Sequence, residues 1–113
     1  MEKPYESAQP DRSQMDALVG AVVLDFGTTW CGYCNRASPA IAQALVGQPL
    51  VQHIKVEDGS GRALGRSFAV RVWPTLIMLR DGQEVTRLVR PGDVAQVRAA
   101  LAVLLNPVVP REP

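Results

Sequence analysis

The stretch from Ala21 to Val46 limits the possible folds more than any other part of this chain. Residues Ala21 to Gly27, AVVLDFG, form an apolar, β-branched run of the kind found in buried strands. A helix is predicted next, from Gly32 to about Val46, because Cys34, Ala37, Ser38, Ile41, Ala42 and Leu45 fall on one stripe. Pro39 lies inside that stripe and removes one backbone hydrogen bond. It should kink the helix rather than end it, since the pattern continues to Leu45.

The other elements are shorter. Ser13 is predicted to cap a short helix carrying Met15, Leu18 and Val19, and Leu50 to Glu57 reads as a second strand. Asp58-Gly59-Ser60-Gly61 then turns into a short helix bearing Leu64 and Phe68. Thr75 to Leu79 and Glu84 to Val89 flank Asp81-Gly82, a signal for a hairpin turn with positive φ. A last helix is predicted to start at Asp93, with Gln96 as capping-box partner, and to bury Val94, Val97, Leu101, Leu104 and Leu105. The order is a βαβ unit, a connecting helix and a ββα unit. It predicts an α/β fold with a central mixed sheet flanked by helices on both faces.

A chain of 113 residues can bury one core. The expected division is a loose arm over residues 1–10 with a short strand around Tyr5, a domain over 11–105 and a tail over 106–113. Twelve basic against eleven acidic residues give a net charge of +1, which points to neither nucleic acid nor an anionic membrane as partner. The first twenty residues lack the apolar core of an export signal, and no apolar run reaches the roughly 18 residues of a spanning helix. A cytoplasmic monomer is the expectation, although an exported form with its leader trimmed would read the same.

The two cysteines, Cys31 and Cys34, stand three apart at the start of the predicted helix. That spacing brings their Cα atoms to about 5 to 6 Å, so a disulfide between them can open and close with little backbone movement. Cys31 sits where free N–H groups and the helix dipole favour an anion, and Cys34 lies on the core-facing stripe. Cys31 is therefore the expected nucleophile and Cys34 the resolving thiol. Half of a zinc site is the competing reading, but zinc takes four ligands and His53 is the only other nitrogen or sulfur candidate. An iron–sulfur cluster shared between two copies is a further alternative. No metal and no organic cofactor is expected, only an electron donor.

Several residues around the pair resemble the thioredoxin family over about Met15 to Leu105. Asp25 interrupts the apolar run six residues before Cys31, where burial should raise the pKa of a carboxylate. The resemblance implies that Asp25 assists deprotonation of Cys34 and that Lys55 tunes Asp25. Trp73-Pro74-Thr75 resembles the family's cis-proline loop, which presents backbone to an extended substrate strand. Pro39 matches the family's helix proline. Trp30 matches an aromatic beside the nucleophile, and Trp30, Gly32, Tyr33, Trp73 and Pro74 are the expected substrate contacts.

The sequence departs from the family at four places. Gly32-Tyr33 stands between the cysteines where reducing members carry Gly-Pro, as in disulfide isomerases, which predicts a more oxidising potential than the about −270 mV of thioredoxin. Gly27 replaces a common tryptophan, Arg90 stands where a groove glycine is usual, and Trp73 replaces a small aliphatic residue. His53 shares a strand face with Lys55 and reads best as a satisfied core or edge histidine, while Arg62, Arg66 and Arg71 read as solvated or ion-paired surface. The resemblance implies a thiol–disulfide oxidoreductase that reduces protein disulfides, fed by a reductase or a low-molecular-weight thiol. The alternatives are a disulfide isomerase, a glutaredoxin-like enzyme linked to glutathione, and a non-enzymatic binding module whose cysteines form a redox-sensitive clasp.

Overall fold

The computed structural model describes residues 3–6 and 8–106. The element order is α1 (Arg12–Asp16), β1 (Ala21–Gly27), α2 (Gly32–Leu45), β2 (Val51–Glu57), α3 (Ala63–Ser67), β3 (Thr75–Arg80), β4 (Gln83–Val89) and α4 (Val94–Leu105). The four strands form one sheet in the order β2-β1-β3-β4. β1 pairs parallel with β2 and antiparallel with β3, and β3 pairs antiparallel with β4. The sheet is therefore mixed, as the sequence predicts.

Alternation along β1 divides the core in two. Val22, Leu24 and Phe26 pack with Ile54, Val56, Ile77, Leu79 and Phe68 on the face covered by Met15 and Leu64. Ala21 and Val23 pack with Leu76 and Met78 against Ala37 and Ile41 of α2 and Val97, Leu101 and Leu104 of α4. Each fully buried leucine, isoleucine or phenylalanine contributes about 1.5–3 kcal/mol of burial. Asp25 follows the alternation onto the α2 side.

The hairpin turn forms where expected, with Asp81 at φ 51° and Gly82 at φ 80°. A side chain at Gly82 would also overlap the carbonyl of Asp16, so position and backbone both require glycine. Helix α2 runs unbroken past Pro39 to Leu45, but its buried residues are Cys34, Ala37, Ile41 and Ala44. Ser38, Ala42 and Leu45, expected in the stripe, are only half-buried.

Five local expectations are corrected. Asp11, not Ser13, caps α1: its carboxylate accepts from the Gln14 N–H, and the Gln14 side chain accepts from the Asp11 N–H, a reciprocal box that the single Ser13 hydroxyl does not match. The helix ends at Asp16, so Leu18 and Val19 lie beyond it and Val19 is 85% exposed. Asp93 caps α4 through the Gln96 N–H, yet the Gln96 side chain accepts from Gly92 rather than from Asp93, so the box does not close. Tyr5 belongs to no strand; among the described residues the arm touches the sheet edge through one backbone bond, Glu6 N–H to the Lys55 carbonyl at 2.8 Å. Val94 and Leu105 are half-buried rather than buried. Most of the expected tail, residues 107–113, lies outside the described residues.

Candidate active site

The C-terminal end of β1, an interior strand, and the start of α2 place the cysteines on the α2 side of the sheet. Cys31 is the N-cap of α2, with extended backbone, and its Sγ accepts from the Cys34 N–H at 3.2 Å. A sulfur thus occupies the capping position that a serine or aspartate oxygen usually fills. Both cysteines are free and buried, at 8% and 5% exposure. Access to Cys31 is framed by two exposed aromatics, Trp30 at 73% and Tyr33 at 50%.

The two thiols are driven in opposite directions. Burial by itself raises the pKa of Cys31, but hydrogen bonds from the Cys34 thiol and from the Cys34 and Tyr33 N–H groups, with the nearby Arg90 charge, outweigh it and hold the thiol below its ordinary value. Cys34 is pushed up by burial, by its hydrogen bond to Cys31 and by the charges of Cys31 and Asp25, against an opposing hydrogen bond from the Thr28 backbone. Cys31 is the thiolate-prone member.

Asp25 is 4% exposed beneath this pair. Its Oδ2 lies 3.0 Å from Nε2 of His53, two positions before Lys55 on β2. Lys55 stands directly opposite Asp25 in the strand register, but its ammonium lies over the Tyr5 ring, 4.5 Å from the centroid. Among the described residues no ion pair within 4 Å joins Lys55 to Asp25. The carboxylate's partner is thus the histidine, which the sequence reads as a satisfied core or edge histidine on the face of Lys55; the period of two along β2 is the signal that it could lie under the site.

On the other side of Cys31 the two tryptophans meet. Trp30 and Trp73 pack edge to face with centroids 5.6 Å apart. The Trp73 indole N–H donates to Asp58 Oδ2 at 2.9 Å, and the Trp73–Pro74 peptide bond is cis. Asp58, read from the sequence only as a turn residue, is therefore an anchor of this wall. A Cβ at Gly65 would collide with its carboxylate, so Gly65 leaves room for it.

Arg90 ties the rim together. It adopts φ 49°, its Nε donates to the Trp73 carbonyl at 2.8 Å, and its guanidinium lies over the Tyr33 ring at 3.8 Å. Arg36 approaches the same ring at 4.7 Å. Gly32, by contrast, is open: a Cβ there would come no nearer than 3.5 Å to Arg36 Nη1. Of the expected site residues, Cys31, Cys34, Asp25, Trp30, Tyr33, Trp73 and Pro74 converge, and Lys55 stands at the border of the site, against Tyr5 and across a cavity from Cys34. Arg62 pairs with Glu57 at 3.2 Å on the surface.

The thioredoxin family model matches residues 11–102, the stretch that carries this arrangement of two unequal thiols at a helix start with a buried carboxylate below and an aromatic wall beside. The chain belongs to the thioredoxin family. Its fold resembles the reduced structure of thioredoxin 2 from Pseudomonas aeruginosa, at 47% identity and a TM-score of 0.84, covering 93% of this chain and 97% of that one. Thioredoxin Asp f 28 of Aspergillus fumigatus is 31% identical over 69% of this chain and 72% of its own length. Thioredoxin H-type 1 of Nicotiana tabacum is 34% identical over 60% of this chain, a match that spans only 54% of the tobacco protein. Thioredoxin membership and the Cys31–Cys34 pair together support a thiol–disulfide oxidoreductase. Among the described residues no helix is long and apolar enough to cross a membrane.

Proposed function

We propose that this thioredoxin-family chain reduces protein disulfides, with Cys31 as nucleophile and Cys34 as resolving thiol. The Cys31 thiolate attacks one sulfur of the substrate disulfide; a mixed disulfide forms and the other substrate sulfur leaves as a thiolate that takes up a proton. Cys34 then loses its proton and attacks Cys31, which closes the Cys31–Cys34 disulfide and releases the second substrate thiol. A reductase or a low-molecular-weight thiol returns two electrons. The observation that carries this reading is the opposed perturbation of the two thiols, with Cys31 capping α2 and Cys34 held protonated below it.

Asp25, linked to His53, takes up and returns the proton of Cys34, and Lys55 acts on it only at a distance. Trp30, Gly32, Tyr33 and the Trp73-Pro74 backbone receive the substrate segment. A second reading, exchange with glutathione, is favoured by the Tyr33 ring and its two flanking guanidinium groups, which suit a carboxylate-bearing tripeptide. Reduction of insulin disulfides tests the primary reading. Wild type should turn over with dithiothreitol as donor, Cys31→Ser should abolish turnover, and Cys34→Ser should trap substrate as a stable mixed disulfide. Turnover that survives Cys31→Ser, or that requires glutathione, would displace it.

A further inference from the structure

The arm before α1 reaches the resolving thiol. Tyr5 is half-buried, its hydroxyl donates to the Thr28 carbonyl at 3.2 Å, and its ring stacks under the Lys55 ammonium. The arm is held in that position by the Glu6 N–H bond to Lys55, by the Lys3 ammonium on the His53 carbonyl and by Gln9 on the Glu57 carbonyl. Each of these bonds falls on β2, on the edge of the sheet nearest the site.

Gly27 shows how close the tyrosine comes. A Cβ built there would lie 2.6 Å from Cys34 Sγ and 2.8 Å from the Tyr5 hydroxyl. Thiol and hydroxyl therefore face one point, which stays open because residue 27 has no side chain. The same region borders a cavity of about 400 Å³ lined by Lys3, Tyr5, Cys34, Ser38 and Lys55 among others.

We infer that the Tyr5 hydroxyl serves the resolving half-reaction by donating a hydrogen bond to the Cys34 thiolate as it forms. The inference rests on the reductase reading above. In the resting site the hydroxyl proton is directed at the Thr28 carbonyl, and rotation about the Cζ–O bond turns it to Sγ. When Cys34 loses its proton, the thiolate then has two donors, the Thr28 N–H and the Tyr5 O–H. Cys34 attacks Cys31, the Cys31–Cys34 bond forms, and the substrate sulfur departs with the electron pair and is protonated. Tyr5 itself stays protonated throughout; burial and the charges of Asp25 and Cys34 push its pKa upward. The charged groups facing Cys34 are Asp25 on β1, Cys31 at the helix start, and Lys55 and Lys3 across the cavity.

The test is Tyr5→Phe, which keeps the ring over Lys55 and removes only the hydroxyl. One hydrogen bond to a developing thiolate is worth about 1 kcal/mol, or roughly a three- to tenfold change in rate. The variant should alkylate Cys31 at the wild-type rate, accumulate mixed disulfide, resolve it about three- to tenfold more slowly, and show a higher apparent pKa for that step. An unchanged resolving rate would overturn the inference, and so would a variant in which both half-reactions, or the thermal midpoint, fall together, because that marks a packing role. If wild type forms no mixed disulfide at all, the reductase reading itself fails, which is a distinct result.

Discussion

His53 Nε2 lies 3.0 Å from Asp25 Oδ2, and this pair connects the edge strand to the buried side of the resolving thiol. A buried carboxylate without a partner is costly, and here the histidine supplies the hydrogen bond. His53→Ala leaves Asp25 with that bond unmade, so the reduced protein should lose about 1–3 kcal/mol, read by urea unfolding at neutral pH. A loss under about half a kcal/mol would mean that Asp25 does not depend on His53.

Asp25→Asn removes the negative charge that helps keep Cys34 protonated. The Cys34 pKa should fall. The resolving step should nevertheless slow, by about tenfold or more, because the group that takes the proton is gone. Single-turnover kinetics of mixed-disulfide decay would show whether the two effects separate in this way; faster decay would contradict the proton role of Asp25.

The opposed thiol shifts also set the pH dependence of stability in the reduced protein. The depressed pKa of Cys31 contributes stability that is present above the unfolded thiol value, about 8.5, and is lost as pH falls through the folded value. The raised pKa of Cys34 contributes stability present below about 8.5 and lost as pH rises through its folded value. The thermal midpoint, corrected against a Cys31→Ser/Cys34→Ser double variant, should therefore peak near pH 8.5 and decline on both sides. A monotonic difference would mean that only one thiol is perturbed.

Arg90→Gly tests the rim. The left-handed backbone costs a side-chain-bearing residue about 1–2 kcal/mol, which glycine removes, while loss of the Tyr33 stack and the Trp73 carbonyl bond costs about the same. Stability should change by less than about 1 kcal/mol. The Cys31 pKa should rise, because the Arg90 charge lowers it, and KM for a protein disulfide should drop as the Trp73 carbonyl is freed for a substrate strand. Titration of Cys31 alkylation and steady-state insulin kinetics would check the two effects separately.

The layout of strands and helices was legible because local patterns agreed with the fold: the β1 run, the Asp81-Gly82 turn and the CxxC at a helix start each carry their own signal. The cap of α1 was misplaced because Ser13 and Asp11 both suit an N-cap, and only the Gln14 side chain decides between them. Tyr5 and Asp58 joined the site through contacts between segments far apart in sequence, which no spacing rule reports, whereas the resemblance already put Arg90 at a groove position. His53 was closest to being read, since it shares a face with Lys55; the choice between them depended on which side chain turns toward Asp25. Tyr5 gave no signal, because its role depends on the space left at Gly27.

The most direct measurement of the central claim is the reduction potential of the Cys31–Cys34 couple together with the rate of insulin-disulfide reduction. The account predicts a potential between about −270 and −200 mV, on the reducing side of the isomerases, with insulin reduced in a Cys31-dependent reaction. A potential at or above about −180 mV with slow insulin reduction would contradict it and would make this chain an isomerase or an oxidant.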